Sequence, residues 1–540
     1  MRMIECRTNR YGRVKCRLVF FTTGRARVWT RRFLLLSLLL AATSRASDWA
    51  TLAGHSARNS ATAGAPAALS FELWRATTDL AGESFVFEGP ASPVVFDGRV
   101  YANARQFNES GAYVANRIVA MDLESGAIAF ETMVAKGVLD SWSSPSVDRV
   151  HRLVLMGSGA SLFGVNADSG VVAFETPLDR SVVNASVVVA DDLPFGRAFI
   201  TDYTGFGGGA TLYCVNTAAY DETQNPFDVG EIVWREAIGG ASGATPSYRD
   251  GVVYVACTAE PTTPSGQRAG HVSAYDVDAG EGQRLLWRAT LASAGVSGQG
   301  FFGGVAIAGD AIFAASYNTS GAGDNSTLVK IDATSGQIDW TIPCERTNSI
   351  PIVVGERVYL SAGLFGFGSV ARVQAFDDLG ASAEKAWDSY LDSGEMSFVG
   401  GWTHQPVYCE GRLYCGVVPM GFPFFGPNTD LYVLDVTTTP ADAAFVVDHV
   451  GGCGSSPAVA DGLLLTSGSS GLIAFATRGD VCGDEGSPDG RLTIEDAPCF
   501  AALLVNGNAS PADLRRCDFN EDGVLDSRDM AAFISSLVGD

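Results

Sequence analysis

The chain has 540 residues, with 37 Lys and Arg against 60 Asp and Glu, a formal charge of −23. Such acidity excludes the electrostatic footprint of a protein that binds nucleic acid or anionic lipid. Hydrophobic residues are 46%, charged residues 18%, and Gly numbers 62, which points to a large, turn-rich core and not to disorder.

Residues 1–46 read as a secretory signal peptide. Ten basic residues and one acid, Glu5, lie in 1–32. An apolar run from Phe33 to Ala42 follows, too short for a membrane-spanning helix, which needs about 20 residues. Ser44-Arg45-Ala46 then places small residues at positions −3 and −1 of a cleavage site. Thr30-Arg31-Arg32-Phe33-Leu34 weakly resembles a twin-arginine signal, while the Leu-rich run favours the general secretory route. Cleavage leaves 26 basic and 59 acidic residues and nine Cys, an odd number, so at least one thiol is unpaired or bonds another molecule. The expected location is periplasmic, cell-surface or extracellular, with no transmembrane segment in the mature chain and no nucleic-acid partner.

From residue 93 a two-strand pattern recurs. Ser92-Pro93-Val94-Val95-Phe96-Asp97-Gly98-Arg99-Val100-Tyr101 is one copy, and Ser456-Pro457-Ala458-Val459-Ala460-Asp461-Gly462-Leu463 is another. The same register falls at Pro145, Val187, Pro246, Val305, Pro351 and Pro406, making eight units. Each unit closes on a second pattern, such as Met121-Asp122-Leu123-Glu124-Ser125-Gly126 before Phe130, or Ile331-Asp332-Ala333-Thr334-Ser335-Gly336 before Trp340. This reads as a hairpin. Asp bonds the turn backbone, Gly supplies a positive φ, and the fourth strand carries an aromatic that can dock between neighbours. Leu69–Arg75, with Trp74, reads as an orphan fourth strand that completes the eighth unit. An all-β, eight-bladed propeller of four-stranded blades over residues 69–477 is the expected fold.

These units resemble the tryptophan-docking (PQQ-like) repeats of quinoprotein-alcohol-dehydrogenase-like propellers, a superfamily of quinone-dependent dehydrogenases that also includes a non-enzymatic outer-membrane assembly scaffold. The resemblance implies a site, if there is one, where the channel opens. Three positions before each start stand Pro90, Trp142, Asn184, Gly243, Phe302, Asn348, Thr403 and Gly454. One residue nearer are Ala91, Ser143, Ala185, Ala244, Gly303, Ser349, His404 and Ser455. The ring is neutral and aromatic, and Trp142, Asn184, Phe302, Asn348, Trp402 and His404 are its candidate ligands for a carbohydrate or peptide. The family's enzymes are marked by adjacent cysteines, a catalytic Asp and a calcium cluster. No Cys-Cys pair and no acid in the aligned ring match them, which speaks against PQQ as cofactor. No catalytic residue is assigned.

The last segment, 480–540, holds the strongest motif. Asp518, Asn520, Asp522, the Val524 carbonyl, Asp526 and Asp529 fall at positions 1, 3, 5, 7, 9 and 12 of a calcium loop, with Gly523 at 6 for the sharp turn. A second copy is read over Glu485, Ser487, Asp489, Arg491, Thr493 and Asp496, with Gly490 at 6. Its three carboxylates against four predict weaker binding. An apolar helical pattern follows each loop and none precedes it, which gives a small α-helical module of paired loop–helix units. Such EF-hand-like pairs resemble a dockerin, the module that docks onto a cohesin. The resemblance implies that positions 10 and 11, Ile494-Glu495 and Ser527-Arg528, face the partner. A Cys499–Cys517 or a Cys482–Cys499 bridge would staple this slight core.

Together these readings favour an exported, non-catalytic binding or scaffold protein. Its dockerin-like tail would attach it to a cohesin-like partner, with calcium ordering the tail. The alternative is an enzyme, either a PQQ-dependent dehydrogenase or a component of extracellular polysaccharide degradation.

Overall fold

The computed structural model describes residues 2–8, 14–20 and 48–539, apart from 88, 138–141, 194, 206–208, 242, 265–266, 366–368, 394–398, 418–428 and 484–485. Residues Met1–Arg45 form one unit and Ala46–Asp540 another. In the first, Arg2–Thr8 pairs antiparallel with Val14–Phe20. The rest of the leader lies outside the described residues. Among the described residues, no helix is long and apolar enough to cross a membrane.

The second unit is a ring of eight antiparallel blades. Innermost strands begin at 94, 146, 188, 247, 306, 352, 407 and 458, one residue after each start read from the sequence. The inner hairpin turns are tight: Asp97 and Gly98 both have positive φ, as do Asp461 and Gly462. Blade 8 joins the two ends of the propeller sequence. Ala458–Ala460, Leu463–Gly468 and Gly471–Phe475 are completed by Glu72–Ala76, with Ala474 opposite Trp74. The orphan strand therefore closes the ring, which removes the open edge an incomplete blade would leave.

Aromatics on the outer strands fix each blade to the next. Trp74 Nε1 donates to Leu123 O of blade 1 at 2.7 Å, and a Cβ on Gly126 would fall 2.6 Å from the Trp74 ring. Gly170 meets Phe130 in the same way, Gly230 meets Phe174, and Gly336 meets Trp287. Glycine in these turns serves two ends: it supplies the positive φ and it lets the neighbouring ring lie flat on the backbone.

One feature has no counterpart in the repeat pattern. Residues 48–62 form a strap that visits the inner strands of blades 1 to 7 in ring order. Trp49 pairs with Val95, Val147 N donates to Ala50 O at 2.7 Å, and Thr51 Oγ1 donates to Val187 O at 3.1 Å. Tyr248 N then donates to Ser56 O, Ile307 N to Ala57 O, Val353 N to Asn59 Oδ1 and Tyr408 N to Ser60 O. Ala61–Thr62 adds a parallel strand to blade 7. Arg58, fully buried, ties the strap to the entries of blades 3 and 4, donating to Pro246 O, Leu52 O, Ser186 O, Val187 O and Thr51 Oγ1. Burial alone pushes its pKa down to about 9.

The tail carries three helices: α1 (Asp496–Asn506), α2 (Pro511–Cys517) and α3 (Ser527–Val538). α2 precedes the second loop, where the apolar pattern gave no helix. Its start is marked by Ser510, Pro511 and Asp513, a capping box with Pro at the first position. Cys482 bonds Cys499, one of the two pairings left open, and Cys517 is a buried thiol. Phe500, Phe533, Val481 and Cys517 make the small core.

Arg58→Ala removes charge-assisted bonds to several carbonyls at once. It is expected to cost about 3 kcal/mol in denaturant unfolding. Arg58→Lys should recover only part of this, because an ammonium cannot span the same set of acceptors.

Candidate functional site

Each segment entering a blade is extended, so alternate residues face the channel. Of the eight positions three before the starts, all but Gly454 line the axial space. Of the intervening positions, Ser349 reaches it as well. His404 lies buried in its blade, where Nε2 accepts the Gly416 amide at 2.8 Å and burial pushes its pKa down to about 3. It is a packed, neutral imidazole and not part of the channel ring.

The next position in register was not among the candidates, and it lines the channel as well. Here Ser144, Ser186, Thr245, Gln405 and Ser456 form a belt. Ser92 N donates to Ser144 Oγ (2.9 Å), Ser144 N to Ser186 Oγ (3.0 Å) and Ser186 N to Thr245 Oγ1 (3.1 Å). Ile350 N donates to Gln405 Oε1 (2.8 Å), Gln405 N to Ser456 Oγ (3.0 Å), and Ser456 Oγ to Pro90 O (2.7 Å). The sequence signal is the hydroxyl before the strand-initiating proline, as in Ser92-Pro93, Ser144-Pro145, Thr245-Pro246 and Ser456-Pro457.

At the mouth the aromatics cover one another. Trp142 and Trp402 meet edge to face at 6.4 Å, Trp402 lies 5.6 Å from Tyr317, and Tyr317 lies 4.8 Å from Phe302. All four are at most 8% exposed, so their faces are not free to stack on a sugar. The axial space is about 30 Å³, room for roughly two waters. Asn184 Oδ1, Asn348 Oδ1 and Thr403 Oγ1 are buried there without a protein hydrogen-bond partner, a polarity suited to ordered water. Among the described residues, no carboxylate lines the space. A fused-ring quinone exceeds this volume, and among the described lining residues none is an acid that could act as base or hold a cation.

The two tail loops share one hydrogen-bond frame. In the second, Asp518 accepts from Asp522 N and Gly523 N, while Asp529 accepts from Phe519 N, Asn520 N and Asp526 N. Asn520 Oδ1 also accepts from Asp522 N, and Asp522 Oδ1 from Val524 N. In the first, Asp480 accepts from Asp489 N and Gly490 N, while Asp496 accepts from Val481 N, Cys482 N and Thr493 N. Asp489 Oδ1 accepts from Arg491 N, as Asp522 does from Val524. The counterpart of Asp518 in the first loop is therefore Asp480, five residues upstream of Glu485, which lies outside the described residues.

The register read from the sequence is shifted here by an insertion. Ser487 supplies only a backbone acceptor, to Gly483 N, and Cys482 of the disulfide stands at position 3. Burial, with Asp496 adding, pushes the Asp480 carboxyl up to about 7 despite its two amide bonds.

Among the described residues, the acidic side chains as placed do not gather three or more around one point. They face backbone amides, and in the second loop Arg528 bridges Asp522 (2.6 Å) and Asp526 (2.7 Å). Positions 5 and 9 thus already converge on one cationic group. Ile494 is 72% exposed, Glu495 beside it is exposed, and Ser527 and Arg528 are exposed at the start of α3.

A family model described as outer membrane protein assembly factor BamB matches residues 268–481. Solved structures share the fold at low identity. A europium-containing methanol dehydrogenase is 9% identical with a TM-score of 0.54, covering 78% of this chain and 89% of its own. The quinohemoprotein alcohol dehydrogenase of Comamonas testosteroni is 12% identical with a TM-score of 0.54, covering 81% of each chain. The quinohemoprotein alcohol dehydrogenase ADHIIG of Pseudomonas putida HK5 is 11% identical with a TM-score of 0.53, covering 83% of this chain and 79% of its own. No curated protein sequence matches. The main body thus has the β-propeller fold of these structures, and its second half matches the PQQ-repeat family model.

Trp142→Ala and Trp402→Ala are each expected to lower stability by about 3–5 kcal/mol, as buried aromatics do. Glycan- and peptide-array profiles should stay unchanged. A lost array signal at full stability would instead make the mouth a ligand site.

Proposed function

We propose that the protein is an exported, non-catalytic scaffold: the propeller displays and recognises, and the dockerin-like tail attaches it to a cohesin-type partner or a cell-surface assembly. Export rests on the charge, apolar and small-residue pattern of residues 1–46. The observation that carries the attachment is the shared frame of the two tail loops, with Asp480 and Asp518, and Asp496 and Asp529, in matching roles.

That frame suits calcium, a hard cation that takes six to eight oxygens. In the second loop the ligands are Asp518, Asn520, Asp522, the Val524 carbonyl, Asp526 and Asp529, with Arg528 withdrawing from Asp522 and Asp526. In the first they are Asp480, Asp489, the Arg491 carbonyl, Thr493 and Asp496. The second loop binds more tightly, because it has four carboxylates to three and an amide where the first has a disulfide sulfur. Calcium neutralises the clustered acids, so its binding energy becomes ordering energy for the tail.

The partner face joins positions 10 and 11 of each loop to the exposed apolar residues Val505 (84%), Val538 (65%) and Ile534 (50%). Ile494-Glu495 and Ser527-Arg528 differ in chemistry, which favours one docking orientation over two. A dehydrogenase reading has the fold in its favour and the lining of the channel against it. A part in polysaccharide degradation would follow from the partner and not from the propeller.

Calorimetric titration of the full chain with Ca²⁺ is expected to show two events. Asp529→Ala should remove the tighter one and Asp480→Ala the weaker, while Glu485→Ala keeps both. No heat in the wild type overturns the calcium reading. Capture of a cohesin-like protein from a cell-surface extract with calcium, and its loss with EGTA, tests the attachment.

A further inference from the structure

The tail does not hang from the propeller on a linker. It lies across the place where the ring closes, touching blades 7, 8 and 1. Arg516, 1% exposed, pairs with Glu124 at 2.6 Å in the outer hairpin turn of blade 1. Arg515, its neighbour on α2, donates to Leu73 O in the strand that completes blade 8. Ala512 of the same helix belongs to the hydrophobic core around Trp74 and Phe475. On the other side of the seam, Arg491 of the first loop pairs with Glu410 in the inner turn of blade 7.

The packing between these anchors is tight enough to demand glycine. The turn glycines Gly98, Gly309 and Gly355 face open space. A Cβ at Gly462 of blade 8 would instead lie 2.6 Å from Gly490 N and 3.0 Å from Asp480 Oδ2. A Cβ at Gly490 would lie 2.7 Å from Gly64 C, next to the strap strand of blade 7. Thr477 Oγ1 donates to Gly490 O at 2.6 Å. The first loop is thus wedged between blades 7 and 8, and its first acid, Asp480, faces the wedge.

We propose that residues 477–540 are a calcium-responsive clasp that holds the seam of the propeller shut, with α2 gripping blades 8 and 1 and the first loop gripping blades 7 and 8. The proposal rests on the calcium reading given above and adds to it an intramolecular target. Asp480 and Asp489 flank the backbone that packs on Gly462 and Gly64. A cation held by these acids fixes that backbone, and the closed state gains whatever the cation prefers of the ordered loop. α1 and α3, on which Val505, Ile534 and Val538 are exposed, take no part in the anchors named here and remain available to a partner.

Eight of the nine tryptophans lie between residues 49 and 402, the ninth is Trp29 in the leader, and none lies in the tail, so the fluorescence of the chain after cleavage follows the propeller. The test is the thermal transition of that fluorescence in the full chain, with Ca²⁺ and with EGTA, beside a calcium titration by calorimetry. Calcium should raise the wild-type transition by ~3 °C or more. Arg516→Ala should remove most of that rise while the calcium heats persist. Should Arg516→Ala not fold, Glu124→Gln breaks the same pair from the propeller side and should give the same loss. Calcium heat with an unmoved tryptophan transition overturns the clasp alone. Absence of heat overturns the calcium reading, and the calcium response of the clasp with it.

Discussion

The pairing of Glu72–Ala76 with Gly471–Phe475 is the interaction on which the rest of the molecule depends. An open arc of sheets leaves two unpaired edges and an unfilled space at its axis, whereas a closed ring has neither. Here closure needs a strand from one end of the propeller sequence to find three from the other. Trp74 sits in that strand. Its indole bonds blade 1 while its backbone faces Ala474 of blade 8. One residue therefore takes part both in the sheet that closes the ring and in the docking that holds each blade to the next.

Closure also decides what the axis can do. The hydroxyl belt from Ser92 to Thr245, and its continuation from Ile350 through Gln405 to Ser456, bonds blade to blade by side chains that would otherwise face a ligand. Trp142, Trp402, Tyr317 and Phe302 cover one another beside it. The hydroxyls of the belt are thus spent on the ring, while Asn184, Asn348 and Thr403 keep buried polar atoms without a protein partner.

Much of this was legible because the repeat is local. Strand starts could be read to within a residue from Pro and Asp-Gly patterns, and the docking aromatics followed from the Asp–Gly hairpins. The missing parts are those fixed by distant contacts. The strap shows no period, since each of its residues answers to a different blade. The channel belt stood one register position beyond the ring that was aligned, and His404, adjacent to it, turned out to face the blade. Asp480 was hidden because extra residues separate Cys482 from Asp489 in the first loop, and only its amide bonds reveal it as the counterpart of Asp518. Helix α2 escaped because its apolar pattern is only seven residues long, even though Ser510, Pro511 and Asp513 announce its start.

The order of synthesis sets a difficulty that the finished ring conceals. Glu72–Ala76 leaves the ribosome early, and its partner strand Gly471–Phe475 is made about 400 residues later, at typical rates some 20–80 s afterwards. Throughout that interval the nascent chain carries an apolar strand with no mate. Such a strand invites pairing with a neighbouring polypeptide, so ribosome crowding and chaperone supply, more than final stability, would govern how much of this protein a cell can make.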